Sequence, residues 1–240
     1  MTRRGKCHLD KFQCLSLSQV VEAFCSAIKQ EHAWALIYQT VTSLLTVVGK
    51  HASFGDRVCY LVRGMEDIKM SKEGTIHINT FTSGEGSRVS MTSMATGVAE
   101  LGVAIYEALD WSMSQDVSVE RILSPELENV IDVMTSADDD IELLGEGNYE
   151  MLVTSRLCEN VLELCRHHLA LPNEAADHYQ QVCRALVAEA FELSNFMVNL
   201  STKDNMEEFE ALDRQEWVGI FNEVGYSLYN VSCVHGIYFR

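Results

Sequence analysis

The stretch ELGVAIYEALDW, residues 100–111, has the periodicity of an amphipathic helix. Apolar side chains recur at steps of three and four residues, which places them on one side of a helix. The predicted buried side is formed by Val98, Leu101, Ile105 and Leu109. The predicted opposite side carries Glu100, Ala104, Glu107 and Trp111. We therefore expect one face in a core and an acidic face that bears a large aromatic ring.

The chain around this helix is long enough to form one sizeable core. It has 240 residues, of which 47% are hydrophobic and only two are prolines, so a single globular domain is expected. Helical periodicity dominates, as in KQEHAWALIYQTVTSLLTVV (residues 29–48) and MEEFEALDRQEWVGIFNEVGYSLY (residues 206–229), whereas short β-favouring segments fall between residues 49 and 92. The predicted fold class is mainly α, with a small β-hairpin-like patch inside residues 56–82.

Three helix starts are marked by capping residues. Ser16 and Gln19 have the spacing of a capping box, in which each side chain accepts a hydrogen bond from the backbone of the other residue. Ser124 precedes Pro125, a pair typical of an N-cap and the first helical residue. The D-x-x-Q pattern at residues 177–180 predicts a third start.

Acidic side chains far outnumber basic ones: 35 aspartates and glutamates stand against 18 lysines and arginines, a net charge of −17. Most of the surplus lies between Glu107 and Glu163, where 15 acidic residues are opposed only by Arg121 and Arg156. Such a charge disfavours nucleic acids and anionic membranes, which are bound through lysine and arginine, and it favours a basic partner. The alternative is that the acidic residues only keep the surface soluble.

The N-terminus and the cysteines predict a location in the cytoplasm. No apolar segment of a secretory signal follows the basic start, and no apolar run reaches the roughly 18–20 residues that span a bilayer. The eight cysteines include no C-x-x-C pair, so we expect reduced thiols in the core. Cys165, His167, His168 and His178 could suggest a metal site. Adjacent side chains on a helix point about 100° apart, however, which favours a structural role.

Two segments resemble the larger lobe of a protein kinase. ELGVAIYEALDW is similar to the kinase pattern S-L-G-V-x-L-Y-E-L-L, and DIKMSKEGTIHINTFT (residues 67–82) is similar to the segment from N-I-L-L through the D-F-G turn. In that alignment Thr80 takes the place of the metal-binding aspartate, and the place of the catalytic aspartate falls near Val62. The G-x-G at residues 84–86 lacks a third glycine and predicts a loop tip. We therefore expect a kinase-lobe scaffold with no catalytic, cofactor-binding or metal-binding residues.

Longer segments carry a closer resemblance: LSLSQVVEAF, KQEHAWALIYQTVTSL, ELGVAIYEALDW, LSPELENVIDVM, HHLALPNEAADHYQQVCRALVAEAFEL and DRQEWVGIF. They are similar to the KIND domain (kinase non-catalytic C-lobe domain) of the Spire actin nucleator family. The predicted KIND domain covers residues 15–229, between tails of residues 1–14 and 230–240.

The resemblance implies a non-catalytic protein-interaction module. In the Spire family, the KIND domain binds a short basic segment in the C-terminal tail of formins of the Cappuccino/formin-2 type, which joins two actin nucleators at the cytoskeleton. The resemblance also associates the chain with vesicle transport, which that family reaches through a separate membrane-directed zinc finger. This sequence shows neither the actin-binding repeats nor the zinc-binding cysteine pairs of that family, so we expect only indirect contact with actin and no direct membrane binding. The alternative is a pseudokinase-like protein that binds a nucleotide.

The predicted formin-tail site combines the helix of residues 100–111, the helix of residues 125–134 and the loop DDDIE (residues 138–142). Its members are acidic, except for one aromatic residue: Glu100, Glu107, Asp110, Trp111, Glu126, Glu128, Asp132, Asp138, Asp139, Asp140 and Glu142. Trp111 is the predicted apolar anchor of the ligand. Two alternatives remain open, namely that Trp111 folds back into the core and that the acidic loop is only a solvated loop.

Overall fold

A computed structural model describes residues 14–50, 62–77, 80–81, 94–111, 122–136 and 148–200. The described part consists of helices and one two-stranded sheet, in the order β1 (Leu15–Ser16), α1 (Leu17–Phe24), α2 (Gln30–Lys50), β2 (Lys69–Met70), α3 (Met94–Leu109), α4 (Pro125–Thr135), α5 (Asn148–His167) and α6 (Ala175–Leu200). A short 3₁₀ turn, Pro172–Glu174, leads into α6. The prediction of a mainly α fold with a small β patch is confirmed.

The two helix starts predicted from serine caps are confirmed. Ser16 Oγ accepts a hydrogen bond from the Gln19 backbone N–H at 3.2 Å, and Gln19 Oε1 accepts one from the Ser16 N–H at 2.9 Å. These two bonds form the complete capping box at the start of α1. Ser124 Oγ accepts from the Leu127 N–H at 3.3 Å, with Pro125 as the first residue of α4. Both helix starts could be predicted because each depends on a local interaction, between a cap and a partner three residues away.

Helix α2 lies at the centre of the core. Its residues 33–38 are all buried, a pattern typical of a helix that has neighbours on every side. It packs against α3, α5 and α6. The hydroxyl of Tyr179 in α6 donates to the carbonyl oxygen of Cys165 in α5 at 2.6 Å, and the rings of Tyr38 and Tyr179 lie 5.0 Å apart. A buried hydrogen bond therefore joins α6 to α5, and an aromatic contact joins α6 to α2.

The β patch differs from the prediction in its pairing. β1 and β2 run antiparallel, with Leu15 opposite Met70 and Ser16 opposite Lys69. One partner therefore comes from before α1 and not from residues 56–82. The predicted hairpin is also present: Met70 bridges to Ile76, the Ser71 N–H donates to the Thr75 carbonyl oxygen at 2.8 Å, and the His77 N–H donates to the Lys69 carbonyl oxygen at 2.7 Å. Strands of two residues are too short to show the alternation of apolar and polar residues from which a pairing could be predicted.

The turn after β2 docks on α6 through Gly74. This residue has φ +79°, a left-handed conformation that glycine adopts without a steric penalty. A Cβ atom at this position would overlap the carbonyl oxygen of Gln180 and lie 2.6 Å from the nitrogen of Arg184. Gln180 Nε2 also donates to the carbonyl oxygen of Glu73 at 3.1 Å. The absence of a side chain at residue 74 thus allows the turn to touch the backbone of α6.

Two helices were predicted less well. Helix α5 has no cap pattern among the helix starts inferred from the sequence, and α6 begins at Ala175, two residues before Asp177. The predicted helix of residues 206–229 lies outside the described residues. Within the described residues, no helix has both the length and the apolar character needed to cross a bilayer.

Candidate functional site: an acidic face on α3 and α4

Helix α3 presents a mixed acidic and apolar surface. The four predicted core residues, Val98, Leu101, Ile105 and Leu109, are buried. Glu107 and Asp110 are exposed, and Glu100 is half-buried. Between them, Val103 and Tyr106 are 43% and 49% exposed. The outer side of α3 therefore offers apolar surface surrounded by carboxylates.

The prediction that Ala104 lies on the outer side is wrong, because Ala104 is only 1% exposed. The predicted stripe assumed a single core contact, whereas α3 packs against α1, α2, α4 and α5. With neighbours on several sides, the buried arc of the helix is wider than a stripe of four residues.

Helix α4 contributes the second half of the acidic surface. Its predicted core residues are buried, namely Leu127, Val130, Ile131 and Met134. Glu126, Glu128 and Asp132 are exposed. Glu126 and Glu128 lie in the first turn, where the helix dipole stabilises negative charge. We call the exposed carboxylates of the two helices, together with half-buried Glu100, the acidic face; its members are Glu100, Glu107, Asp110, Glu126, Glu128 and Asp132.

The two helices of the acidic face touch at a glycine. A Cβ atom at Gly102 would lie 3.0 Å from Met134 Cβ and 3.2 Å from Thr135 Cγ2. Tyr106 follows Gly102 by four residues, about 40° around the helix axis. Tyr106 therefore lies near the side of α3 that faces α4.

Nothing basic compensates the acidic face within these two helices. Residues 94–111 and 122–136 contain no lysine, arginine or histidine. Across the described part of the chain, the ion pair between Glu163 and His167 lies on α5, and none of the acidic-face carboxylates forms one. Like charges on one surface repel each other weakly and attract cationic groups from solution. The arrangement is suited to a basic ligand.

Trp111 lies at the edge of this surface and is not fully exposed to solvent. It is half-buried and packs against the hydrophobic core. The structure thus favours the alternative in which Trp111 folds back. Val103 and Tyr106 are then exposed apolar side chains of α3 beside the carboxylates. The sequence contains a signal for this pair, since both residues are apolar but fall outside the predicted core stripe.

The acidic loop, residues 138–142, is the remaining part of the predicted site. Asp138, Asp139, Asp140 and Glu142 lie outside the described residues, so their part in the site stays a prediction. The other predicted members, on α3 and α4, come together on adjacent helices.

A family model for the kinase non-catalytic C-lobe domain (KIND) matches residues 15–198. The chain belongs to this family. Protein spire homolog 1 of Danio rerio is 31% identical over 225 residues, which cover 88% of this chain and 29% of the relative. Protein spire homolog 2 of Homo sapiens is 31% identical over 207 residues, 80% of this chain and 27% of the relative. The chain is thus a KIND domain that is similar to these Spire proteins over most of its own length, but it spans less than a third of the length of these relatives.

In this KIND domain, the two positions that align with kinase aspartates belong to the core. Val62 is 1% exposed and Thr80 is fully buried. Thr80 Oγ1 accepts a hydrogen bond from the Lys69 N–H at 3.2 Å, so its hydroxyl supports β2. The nearby buried carboxylate, Asp67, accepts from the Arg63 N–H at 3.1 Å and closes the loop between them. The side chains of Thr80 and Asp67 thus stabilise the local fold by accepting backbone hydrogen bonds. The G-x-G of residues 84–86 lies outside the described residues.

The histidines and the cysteine that were considered as metal ligands contact different residues and do not form one cluster. His167 lies 3.6 Å from Glu163, His168 stacks on Trp34 with ring centroids 4.2 Å apart, and burial raises the pKa of Cys165 to about 12. In the part of the KIND domain that the structure describes, no three His, Cys, Asp or Glu side chains gather as a metal site would require.

The prediction of reduced core thiols holds for the three buried cysteines of the described residues. Cys158, Cys165 and Cys183 are free thiols, and burial raises the pKa of each to about 12. Cys14 and Cys25 are only half-buried and lie nearer the surface than predicted.

Proposed function

We propose that this KIND domain is a non-catalytic module that binds a basic segment in the C-terminal tail of a formin of the Cappuccino/formin-2 type. It would thereby help to organise actin filament nucleation, in the cytoplasm at the cytoskeleton. The observation that carries the proposal is the acidic face: carboxylates on two adjacent helices that contain no basic residue. The formin and actin parts of the proposal rest on the resemblance to the Spire family. Contact with actin is indirect, and neither nucleic acid nor a membrane is a direct partner.

The charge of the acidic face sets how the ligand binds. An exposed ion pair contributes only about 0.2–1 kcal/mol, so useful affinity needs several pairs at once together with apolar contact. Tyr106 and Val103 supply that contact, since aromatic residues are frequent among the residues that dominate binding energy. The ligand is therefore expected to carry several lysines or arginines and at least one apolar side chain.

The test is a titration of a labelled basic formin-tail peptide, followed by fluorescence anisotropy. The first variant changes four residues of the acidic face to lysine: Glu107, Asp110, Glu128 and Asp132. The matched control changes four exposed glutamates on α5, α6 and the turn before α6, which alters the net charge equally: Glu159, Glu174, Glu189 and Glu192. Binding should be abolished in the first variant and largely kept in the control.

Salt dependence supplies a second criterion. Affinity should fall steeply as the salt concentration rises past about 0.15 M, where the Debye length is near 8 Å. Equal binding by the two lysine variants, or binding that is indifferent to salt, would show that the acidic face is not the docking site.

A further inference from the structure

Gln30 joins the start of α2 to the residues that lead into α4. Its Nε2 donates to the carbonyl oxygen of Ile122 at 3.3 Å, and its Oε1 accepts from the Ser124 N–H at 2.9 Å. The two partners are more than ninety residues away in sequence. A single side-chain amide thus both donates to and accepts from the backbone of this segment, as the backbone of a paired strand would do.

The same part of the chain also holds the end of α3. The Ile28 N–H donates to the carbonyl oxygen of Ala108, in the last turn of α3, at 3.1 Å. Residues 28–30 therefore connect two points: the C-terminal end of α3, beside Glu107 and Asp110, and the N-cap of α4, which is Ser124.

Helix α4 has only 11 residues and packs on α3 and α5 through one buried side, so polar contacts at its ends can add to its placement. Its C-terminal end is set by the close contact of Met134 and Thr135 with Gly102. Its N-terminal end is held in part by apolar packing, since Leu127 is fully buried and Leu123 packs on the core, whereas Ile122 just before them is 89% exposed. The Gln30 amide adds a long-range polar contact to the N-terminal end of α4.

We infer that Gln30 is a positioning residue of the acidic face. It fixes the first turn of α4, with Glu126 and Glu128, relative to Glu107 and Asp110 at the end of α3. A basic ligand must engage several carboxylates together, so a fixed distance between the two groups lowers the entropic cost of binding. This inference rests on the proposed function for its ligand, but the positioning itself is a property of the free domain.

The experiment compares Gln30→Met with Gln180→Met. Methionine keeps the length and volume of glutamine but lacks both hydrogen-bonding groups. Gln180 is the matched control, because it also joins α6 to a distant backbone carbonyl, that of Glu73, and belongs to neither α3 nor α4. Two quantities are measured in each variant: the affinity for the basic formin-tail peptide, and the hydrogen exchange of backbone amides in residues 122–136 of the unliganded domain.

Q30M should bind the peptide about tenfold more weakly, because the ligand must then order the start of α4 against α3 itself. Its affinity should also depend less steeply on salt, because fewer carboxylates act together. Exchange in residues 122–136 should be faster. Q180M should keep the wild-type affinity and the wild-type exchange of that segment, even if both variants lose similar thermal stability.

The two measurements separate the two ideas. If the wild type does not bind the peptide, the proposed function fails, and the exchange of residues 122–136 alone decides the inference. If exchange in that segment is equal in Q30M and Q180M, Gln30 does not position α4. Faster exchange in Q30M with unchanged peptide affinity would likewise overturn its role in the acidic face.

Discussion

Gly102 of α3 and Met134 of α4 approach so closely that a Cβ atom on the glycine would lie 3.0 Å from the Cβ atom of the methionine. Neither atom belongs to a flexible chain end, so the contact could be relieved only by moving a helix. The missing side chain at residue 102 therefore sets the distance between the two helices that carry the acidic face.

Replacing Gly102 with valine should destabilise the domain by about 1–3 kcal/mol, the usual cost of an overpacked contact. The crowding outweighs the small gain in helix propensity over glycine. Urea unfolding followed by circular dichroism measures the loss. Ala188→Val is the control, because residue 188 lies on the exposed side of α6 and the added methyl groups meet solvent. Similar losses in both variants would show that the contact with Met134 is not tight.

A second glycine substitution tests the turn that docks on α6. Gly74→Ala should lower the free energy of unfolding by about 2–3 kcal/mol or more, because alanine is strained at φ +79° and its Cβ atom would overlap the backbone of Gln180. Gly64→Ala is the control, since there the Cβ atom would meet only the end of the flexible Glu66 side chain, at 2.8 Å. If G74A proves as stable as G64A, the turn does not depend on its contact with α6.

The parts of the fold that were predicted from the sequence are those with local causes. The caps at Ser16 and Ser124 each depend on a residue three positions away, and the core stripes of α3 and α4 depend on helical periodicity. The pairing of Leu15 with Met70 joins residues 55 positions apart, and no local pattern encodes it. Long-range pairing of short strands is decided by packing.

In the candidate site too, features with local causes were predicted and features that depend on packing were not. Charge and periodicity sufficed to place Glu107 and Glu128 on exposed helix faces. The burial of Ala104 and the backward packing of Trp111 depend on how many elements surround α3, which periodicity does not reveal. The exposure of Tyr106 follows from the same packing. Sequence therefore predicts the acidic character of the surface better than its apolar part.

Acid should destabilise the domain through His32. Burial, with a smaller contribution from the charge of Lys29, lowers the pKa of His32 to about 4, from 6.5 in an unfolded chain. Its Nδ1 accepts a hydrogen bond from the Lys29 N–H at 3.4 Å, at the start of α2, where the helix dipole also disfavours a positive charge. Folded His32 is therefore neutral at pH values where the unfolded chain binds a proton.

Stability should consequently fall as the pH is lowered from about 6.5 to about 4, by on the order of 2–3 kcal/mol from this residue. His32→Gln keeps an acceptor for the Lys29 N–H but cannot be protonated, so the variant should lose that share of the pH dependence. His167→Gln is the control, because that side chain is 71% exposed. Urea unfolding at several pH values makes the comparison. Parallel curves for the wild type and H32Q would contradict the assignment.

Tyr106 and Trp111 should respond differently to replacement by alanine. Tyr106→Ala removes an exposed ring beside the carboxylates, so it should weaken binding of the basic formin-tail peptide by about 1–2 kcal/mol with little effect on stability. Trp111→Ala removes a ring that packs on the core, so it should lower the free energy of unfolding by about 1–3 kcal/mol, less than a fully buried aromatic residue would cost. Isothermal titration calorimetry and urea unfolding distinguish the two effects. The opposite pattern would restore Trp111 as the anchor of the ligand.

Phosphoryl transfer should be absent. The positions that align with the catalytic and metal-binding aspartates hold Val62, which cannot accept a proton, and Thr80, whose hydroxyl is already bonded to Lys69. ATP with magnesium should not raise the melting temperature, because a ligand that binds the native state must stabilise it. Radiolabelled ATP should transfer only background label to generic substrates. A reproducible shift in melting temperature would favour the alternative of a nucleotide-binding pseudokinase.

Aspartates placed at residues 62 and 80 should not confer activity, because both positions are buried. Val62→Asp and Thr80→Asp would each place a carboxylate in the core, at a cost of several kcal/mol unless the group takes up a proton. Thr80→Val serves as the control for loss of the hydroxyl alone, and it should cost only about 1–3 kcal/mol, because the Lys69 N–H loses its acceptor. Thermal unfolding ranks the variants. A Val62→Asp, Thr80→Asp double variant that folds stably and gains ATP turnover would show that these positions form a latent active site and not a part of the core.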